Sequence, residues 1–296
     1  LEMSQPSVAE QLAELETKIM QQVNTLVQDA VVSQAVLQAS NFMKTARSEL
    51  STTLRCEKKS AFVQNSLADM DDAADLIKVQ ANSLNQALDL IKPAGIAEPG
   101  GDRNAVIANP PITVTETNKK LIQVGYPLYV SILMDMVSAL SEAVLLDSLA
   151  HPDVTCDQHI ANVGLANRVD RQGFFLAQMN SFLARERNNQ IVNSKNAGTY
   201  TGWTLRDNFL GTVLFQTGAD WDKTGDVVAS MRKAEISWSM DKYAYKYTDI
   251  KAAIDAAVVN TRAMCNQLRT DATVKTQFTE CAKFNGVGCA CNNCGC

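Results

Sequence analysis

The feature that most constrains this chain is its opening third: residues 1 to 92 contain no glycine and a single proline, Pro6. Glycine and proline are the residues that interrupt helices most sharply, so nothing punctuates a helix across this stretch and helix is the default reading. Ser7 with Glu10 three residues on has capping-box spacing, in which each side chain satisfies an orphan donor of the other's backbone. Val8, Leu12, Leu15, Ile19, Val23, Leu26 and Ala30 then follow at steps of three and four, which places them on one face.

The second segment is more regular. Leu67, Met70, Ala74, Ile77, Ala81, Leu84, Leu88 and Ile91 alternate steps of three and four until Pro93 stops them. Such a seam must be covered. An antiparallel helical hairpin closed within the chain around Cys56 is the favoured reading, and an intermolecular coiled coil is the alternative.

Between Pro93 and Pro111 the texture changes, with four prolines and three glycines in nineteen residues. Only Phe42 and Phe62 among the aromatic residues precede Tyr126, so composition shifts there too. The expected organisation is a long helical hairpin over 1-92, a Pro/Gly linker over 93-116, a helical domain over 117-283 with a Gly-rich loop or small hairpin at 198-225, and a Cys-rich tail over 284-296. The fold class is mainly α.

Within the second half, 127 to 149 is the most apolar helix candidate, with Pro127 in its first turn and His151-Pro152 at its end. Ser131, Asp135, Ser138 and Glu142 form a narrow polar stripe along it. A core helix with one wet edge accounts for that stripe at lower cost than a membrane-inserting hairpin, so membrane contact through 126-149 is not favoured. Further helices are expected over 158 to 192, 226 to 245, 249 to 269 and 271 to 283, the third carrying Ile250, Ile254, Ala257, Met264 and Leu268 at helical spacing.

The eight cysteines speak to compartment: Cys56, Cys156, Cys265, Cys281, Cys289, Cys291, Cys294 and Cys296. An even number with half of them in the last eight residues fits a disulfide framework in an oxidising compartment. A Cys265–Cys281 bridge would pin consecutive helices, leaving Cys56 and Cys156 to pair with each other or with the tail. Four clustered thiolates also suit a soft metal, but the tail lacks two separated Cys-x-x-Cys knuckles, so disulfides are preferred to metal, and metal to redox-active thiols. Leu1 is consistent with a cleaved leader, with a truncated chain or with vector-derived residues ahead of Met3, and does not choose among them.

Chemistry-bearing motifs are thin. A net charge of −5 and a pI near 5.2 provide no basic face for nucleic acid. There are two histidines, His151 and His159, which leaves little material for acid-base or metal work. Cys156 and His159 make a Cys-x-x-His pair, a spacing that neighbours on a helix reach without any chemical reason. Ser230 with Lys233, and Lys223-Thr224-Gly225, match elements of the penicillin-recognising serine enzymes, but in reversed order, and the match is taken as coincidence. Asp71 and Asp72 read as solvated carboxylates on a helix surface. No motif implies a cofactor, a catalytic residue or a resident metal.

The functional expectation is a non-enzymatic, periplasmic or secreted structural or adaptor subunit that forms a homo- or hetero-oligomer with protein partners, as in a bacterial secretion, conjugation or surface apparatus. The alternatives are a helical pore-forming or membrane-acting toxin and a metal-binding protein using the tail.

Overall fold

The structure is a computed structural model that describes residues 30–54, 67–195, 202–208, 212–216, 230–231, 233–234 and 247–273. Several expectations fall outside those residues: the Ser7 cap and the stripe from Val8 to Leu26, the segment around Cys56, the Lys223-Thr224-Gly225 triplet, most of 226 to 245, nearly all of 271 to 283, and Cys281, Cys289, Cys291, Cys294 and Cys296.

The protein is mainly helical, with 80% of the described residues in helices. In chain order the elements are α1 (Ala30–Leu54), α2 (Leu67–Leu90), α3 (Arg103–Ala108), α4 (Glu116–Ala150), α5 (Cys156–Val163), α6 (Leu165–Gln190), β1 (Ile191–Lys195), β2 (Trp203–Asp207), β3 (Thr212–Gln216) and α7 (Tyr247–Thr270). The chain divides into two compact units. The first takes its described residues from Leu1–Pro93, Val114–Phe174 and Lys251–Cys296, and the second from Ala94–Thr113 and Phe175–Ile250.

In the first unit the heptad seam of α2 is filled from within. Met70, Ala74, Ile77, Ala81, Leu84, Leu88 and Ile91 are all buried, and α2 packs most extensively on α4 and then on α1. Small Ala74 and Ala81 alternate with larger Ile77 and Leu84, which lets neighbouring helices approach closely. Each fully buried Leu or Ile here contributes about 1.5–3 kcal/mol of apolar transfer. The seam is therefore internal, and another chain has no access to it. α1 supplies a matching face through Val32, Val36, Ala39, Met43 and Ala46, all nearly inaccessible.

α4 is longer than its apolar stretch. It starts at Glu116, where the Thr115 side chain accepts from the Asn118 backbone N–H at 3.0 Å, so Pro127 lies inside the helix rather than in its first turn. The lost hydrogen bond of Pro127 is tolerated because Tyr126 and Leu128 to Leu133 are all buried around it. The polar stripe is graded: Ser131 is fully buried and donates to Met43 Sδ at 3.8 Å, Asp135 and Glu142 are half-buried, and Ser138 is exposed.

A polar ladder running from a buried end to the surface links α2, α4 and α6. Tyr129 on α4 donates to Gln172 Oε1, and Gln172 Nε2 donates to Asn85 Oδ1 on α2 at 2.9 Å. Arg168 donates to Asn82 one turn away, and Arg171 pairs with Asp89 at 3.7 Å. Burying Gln172 is tolerable only because both ends of its amide are bonded.

The expected single helix over 158 to 192 is two. Gly164 adopts φ +78° and closes α5 as a left-handed cap, and α6 restarts immediately after it. β-structure also begins earlier than the expected 198-225 segment. β1, β2 and β3 form an antiparallel sheet in that order, with Asn193 opposite Leu205 and a bulge between Leu205 and Arg206.

In the second unit the Pro/Gly-rich stretch is ordered. The Gln178 side chain accepts from Ala97 N–H at 2.9 Å and donates to Ala97 C=O at 2.8 Å, acting as a strand partner for the strap. Arg185 donates to Asn109 Oδ1 at 2.9 Å and lies 5.4 Å from the Phe182 ring centroid. Gly95 requires glycine twice over, with φ +87° and room for no Cβ, which would sit 2.7 Å from the Pro111 carbonyl oxygen.

Candidate functional site: the histidine–aspartate corner

Among the described residues of the first unit, a cluster of titratable side chains lies where α4 ends and α5 begins. α4 stops at His151 because Pro152 cannot continue it. Four residues on, Thr155 starts α5 with a capping box: its side chain accepts from Gln158 N–H at 3.3 Å, and Gln158 Oε1 accepts from Thr155 N–H at 3.0 Å. This tight elbow turns His159 back toward the last turn of α4.

There His159, 1% exposed, sets Nδ1 2.6 Å from Asp147 Oδ2 and Nε2 3.1 Å from the His151 carbonyl oxygen. A carbonyl only accepts, so Nε2 carries a proton. The other nitrogen shares one with the Asp147 carboxyl. The His151 ring places Nε2 3.1 Å from Asp71 Oδ1 on α2, with Asp147 close by. Both histidines of the chain thus stand at one corner, each on an aspartate. Asp71, expected to be solvated alone, is half-buried in this pairing, while Asp72 is exposed.

A disulfide anchors the elbow. Cys156, the first residue of α5, is bonded to Cys265 on α7 with Cα atoms 5.9 Å apart, and both residues are buried. Cys265 thus pairs with Cys156, a connectivity that the sequence left open. α7 faces inward through Ile254, Thr261, Cys265 and Leu268, which brings Cys265 against α5 across 109 residues of sequence. The same partnership removes the Cys-x-x-His pair from chemistry, since the Cys156 sulfur is spent and His159 faces Asp147. Arg262 donates to Asp157 at 2.6 Å, Arg269 to the Val154 carbonyl, and Thr261 to Ser141 on α4 at 2.9 Å. These contacts and the disulfide tie the start of α5 to α7, and α7 to α4.

Two other features bear on function. Burial pushes the Glu142 carboxyl from its ordinary 4.5 up to about 8, because the half-buried site solvates the charged form poorly. On the surface of the first unit, a groove of about 550 Å³ is lined by Gln38, Asn41, Phe42, Thr45, Ser83 and Leu90. Ser230 and Lys233 of the Ser-x-x-Lys motif are both exposed.

Sequence spacing could not have shown the corner, because Asp71 lies 80 residues from His151 in the chain. A signal was present in the Thr155/Gln158 cap following directly on His151-Pro152, which foretells a sharp turn that folds one helix start onto the preceding helix end. No protein family, no curated protein and no solved structure matches this chain.

Proposed function

We propose that this protein is a non-enzymatic structural or adaptor subunit of a multi-protein assembly, resident in an extracytoplasmic, oxidising compartment. The observation that carries the reading is the Cys156–Cys265 bridge, which closes 109 residues of chain around a buried helical core. Bridges of this kind persist where thiols are not held reduced. A second support is the outer face of α1 and α2, where Leu37, Phe42, Leu76, Val79 and Leu90 remain exposed although the inner faces are fully packed. Of these, Phe42 and Leu90 line the groove together with Gln38, Asn41, Thr45 and Ser83, a mixed apolar and polar lining that suits contact with another protein surface. A bacterial secretion, conjugation or surface apparatus is the kind of assembly that such a subunit serves.

The test is light scattering coupled to size exclusion at micromolar concentration, together with cross-linking in the source organism. A mass above the monomer, or defined cross-links from α1 and α2 to another chain, is expected. A monomer in both experiments overturns the reading.

One observation favours a second reading, a helical membrane-acting toxin: Gly125–Ala150 is long and apolar enough to cross a bilayer. Against it, 67% of that apolar window is buried inside the protein, the pattern of a core helix. Leakage from liposomes would support the toxin, and intact liposomes from acidic to neutral pH would remove it.

A further inference from the structure

We propose that Asp71, Asp147 and His151 form a binding site for a divalent transition-metal ion of the zinc type. One imidazole nitrogen and two carboxylate oxygens lie within 4.8 Å of one another. A tetrahedral ion with ligand bonds near 2.1 Å holds its donors about 3.4 Å apart; the His151–Asp71 pair already stands at 3.1 Å, and the more distant donors must close by up to roughly 1.4 Å. The half-exposed side chains of Asp71 and His151 can supply that movement by rotation about their own bonds.

The donor set selects the ion. Carboxylates alone suit magnesium and calcium, whereas an imidazole beside them shifts preference toward zinc, cobalt, nickel or ferrous iron. The surroundings are those such a site needs. Asp147 is held from behind by the buried His159, whose other nitrogen is fixed on the His151 carbonyl, so the least mobile ligand is oriented before an ion arrives. Asp147 and His151 also sit at the C-terminal end of α4, where the helix dipole favours positive charge and the last turn carries no basic residue. The elbow itself is clamped by the Thr155 cap and the Cys156–Cys265 bridge.

The exposure of His151 leaves at least one coordination position facing solvent. The site is therefore one of three protein ligands plus water, able to exchange its ion or to accept a donor atom from a partner chain.

Zinc titration of the full chain by calorimetry tests this, with cobalt(II) absorption as a second readout. Three variants accompany it: Asp71→Asn, His151→Gln and Asp72→Asn. The first two alter half-exposed side chains and the third an exposed neighbour, and circular dichroism checks that each is folded. The expected result is one zinc per chain, weakened at least about 10-fold by Asp71→Asn and by His151→Gln and unchanged by Asp72→Asn. Cobalt bound at this site gives d–d bands without the strong near-ultraviolet charge transfer of thiolate ligands, and the two ligand variants abolish those bands. Absence of zinc uptake overturns the proposal. So does uptake that survives both ligand substitutions, or that carries only a thiolate signature, since the ion would then lie on cysteines.

Discussion

Replacing Cys156 and Cys265 together by alanine removes a covalent link between α5 and α7 while leaving the surrounding packing nearly intact. The bridge spans 109 residues of sequence. Loop-closure entropy for a ring of that length amounts to about 4.8 kcal/mol at 25 °C by which the cross-link disfavours the unfolded chain. Trimming two buried sulfur atoms adds about 1 kcal/mol for the small voids left behind. The double variant should therefore unfold roughly 6 kcal/mol more easily in guanidinium, and its Tm should fall by roughly 10 °C. The comparison is made with and without reductant: reduction should cost the parent most of that stability and the double variant little. The reasoning is refuted if the double variant loses less than about 1 kcal/mol, well below what the ring size dictates. It is equally refuted if reductant weakens parent and variant alike, for then the stabilising bridge lies elsewhere.

Three further outcomes follow from the packing. Glu142, whose carboxyl is raised to about 8, contributes stability in its protonated form that is complete below 4.5 and lost as pH rises through 8. The parent should lose about 3 kcal/mol across that window, below the roughly 5 kcal/mol of the pKa difference alone because the half-buried side chain keeps some water; in Glu142→Gln, unfolding curves from pH 4 to 9 should lack this decline. Gln172→Ala removes the acceptor of the buried Tyr129 hydroxyl and the donor to Asn85, and should cost about 2–4 kcal/mol in chemical denaturation. Gly95→Ala places a Cβ against the Pro111 carbonyl in a left-handed conformation, and should cost about 1–3 kcal/mol with faster hydrogen exchange at Ala97.

Sequence pattern was informative where burial is one-sided and apolar. The α2 seam is the clearest case, since every described seam side chain from Met70 to Ile91 is buried. It was less informative where a face is built from residues that hydrophobic counting ignores. On α7 the spacing singled out Met264, which is exposed, and passed over Thr261 and Cys265, which are buried. Those two face inward because one bonds Ser141 and the other carries the disulfide. Pro127 misled in a similar way: a proline favours a first turn, yet the Thr115 cap upstream and the apolar side chains around it keep the helix running through. The strap around Gly95 looked like a linker because its order comes from two side chains of α6, Gln178 and Arg185, more than seventy residues away. The histidine–aspartate corner was illegible for the same reason. It joins α2 to the end of α4, and no local spacing encodes that meeting.

The account turns on whether this helical protein lives with its sulfurs oxidised. Protein isolated from its source, with free thiols blocked at lysis and then digested without reduction, answers this by mass spectrometry. A cross-linked peptide pair containing Cys156 and Cys265 is the predicted result. Recovery of both residues as blocked free thiols would contradict the bridge, the oxidising compartment and the scaffold role together.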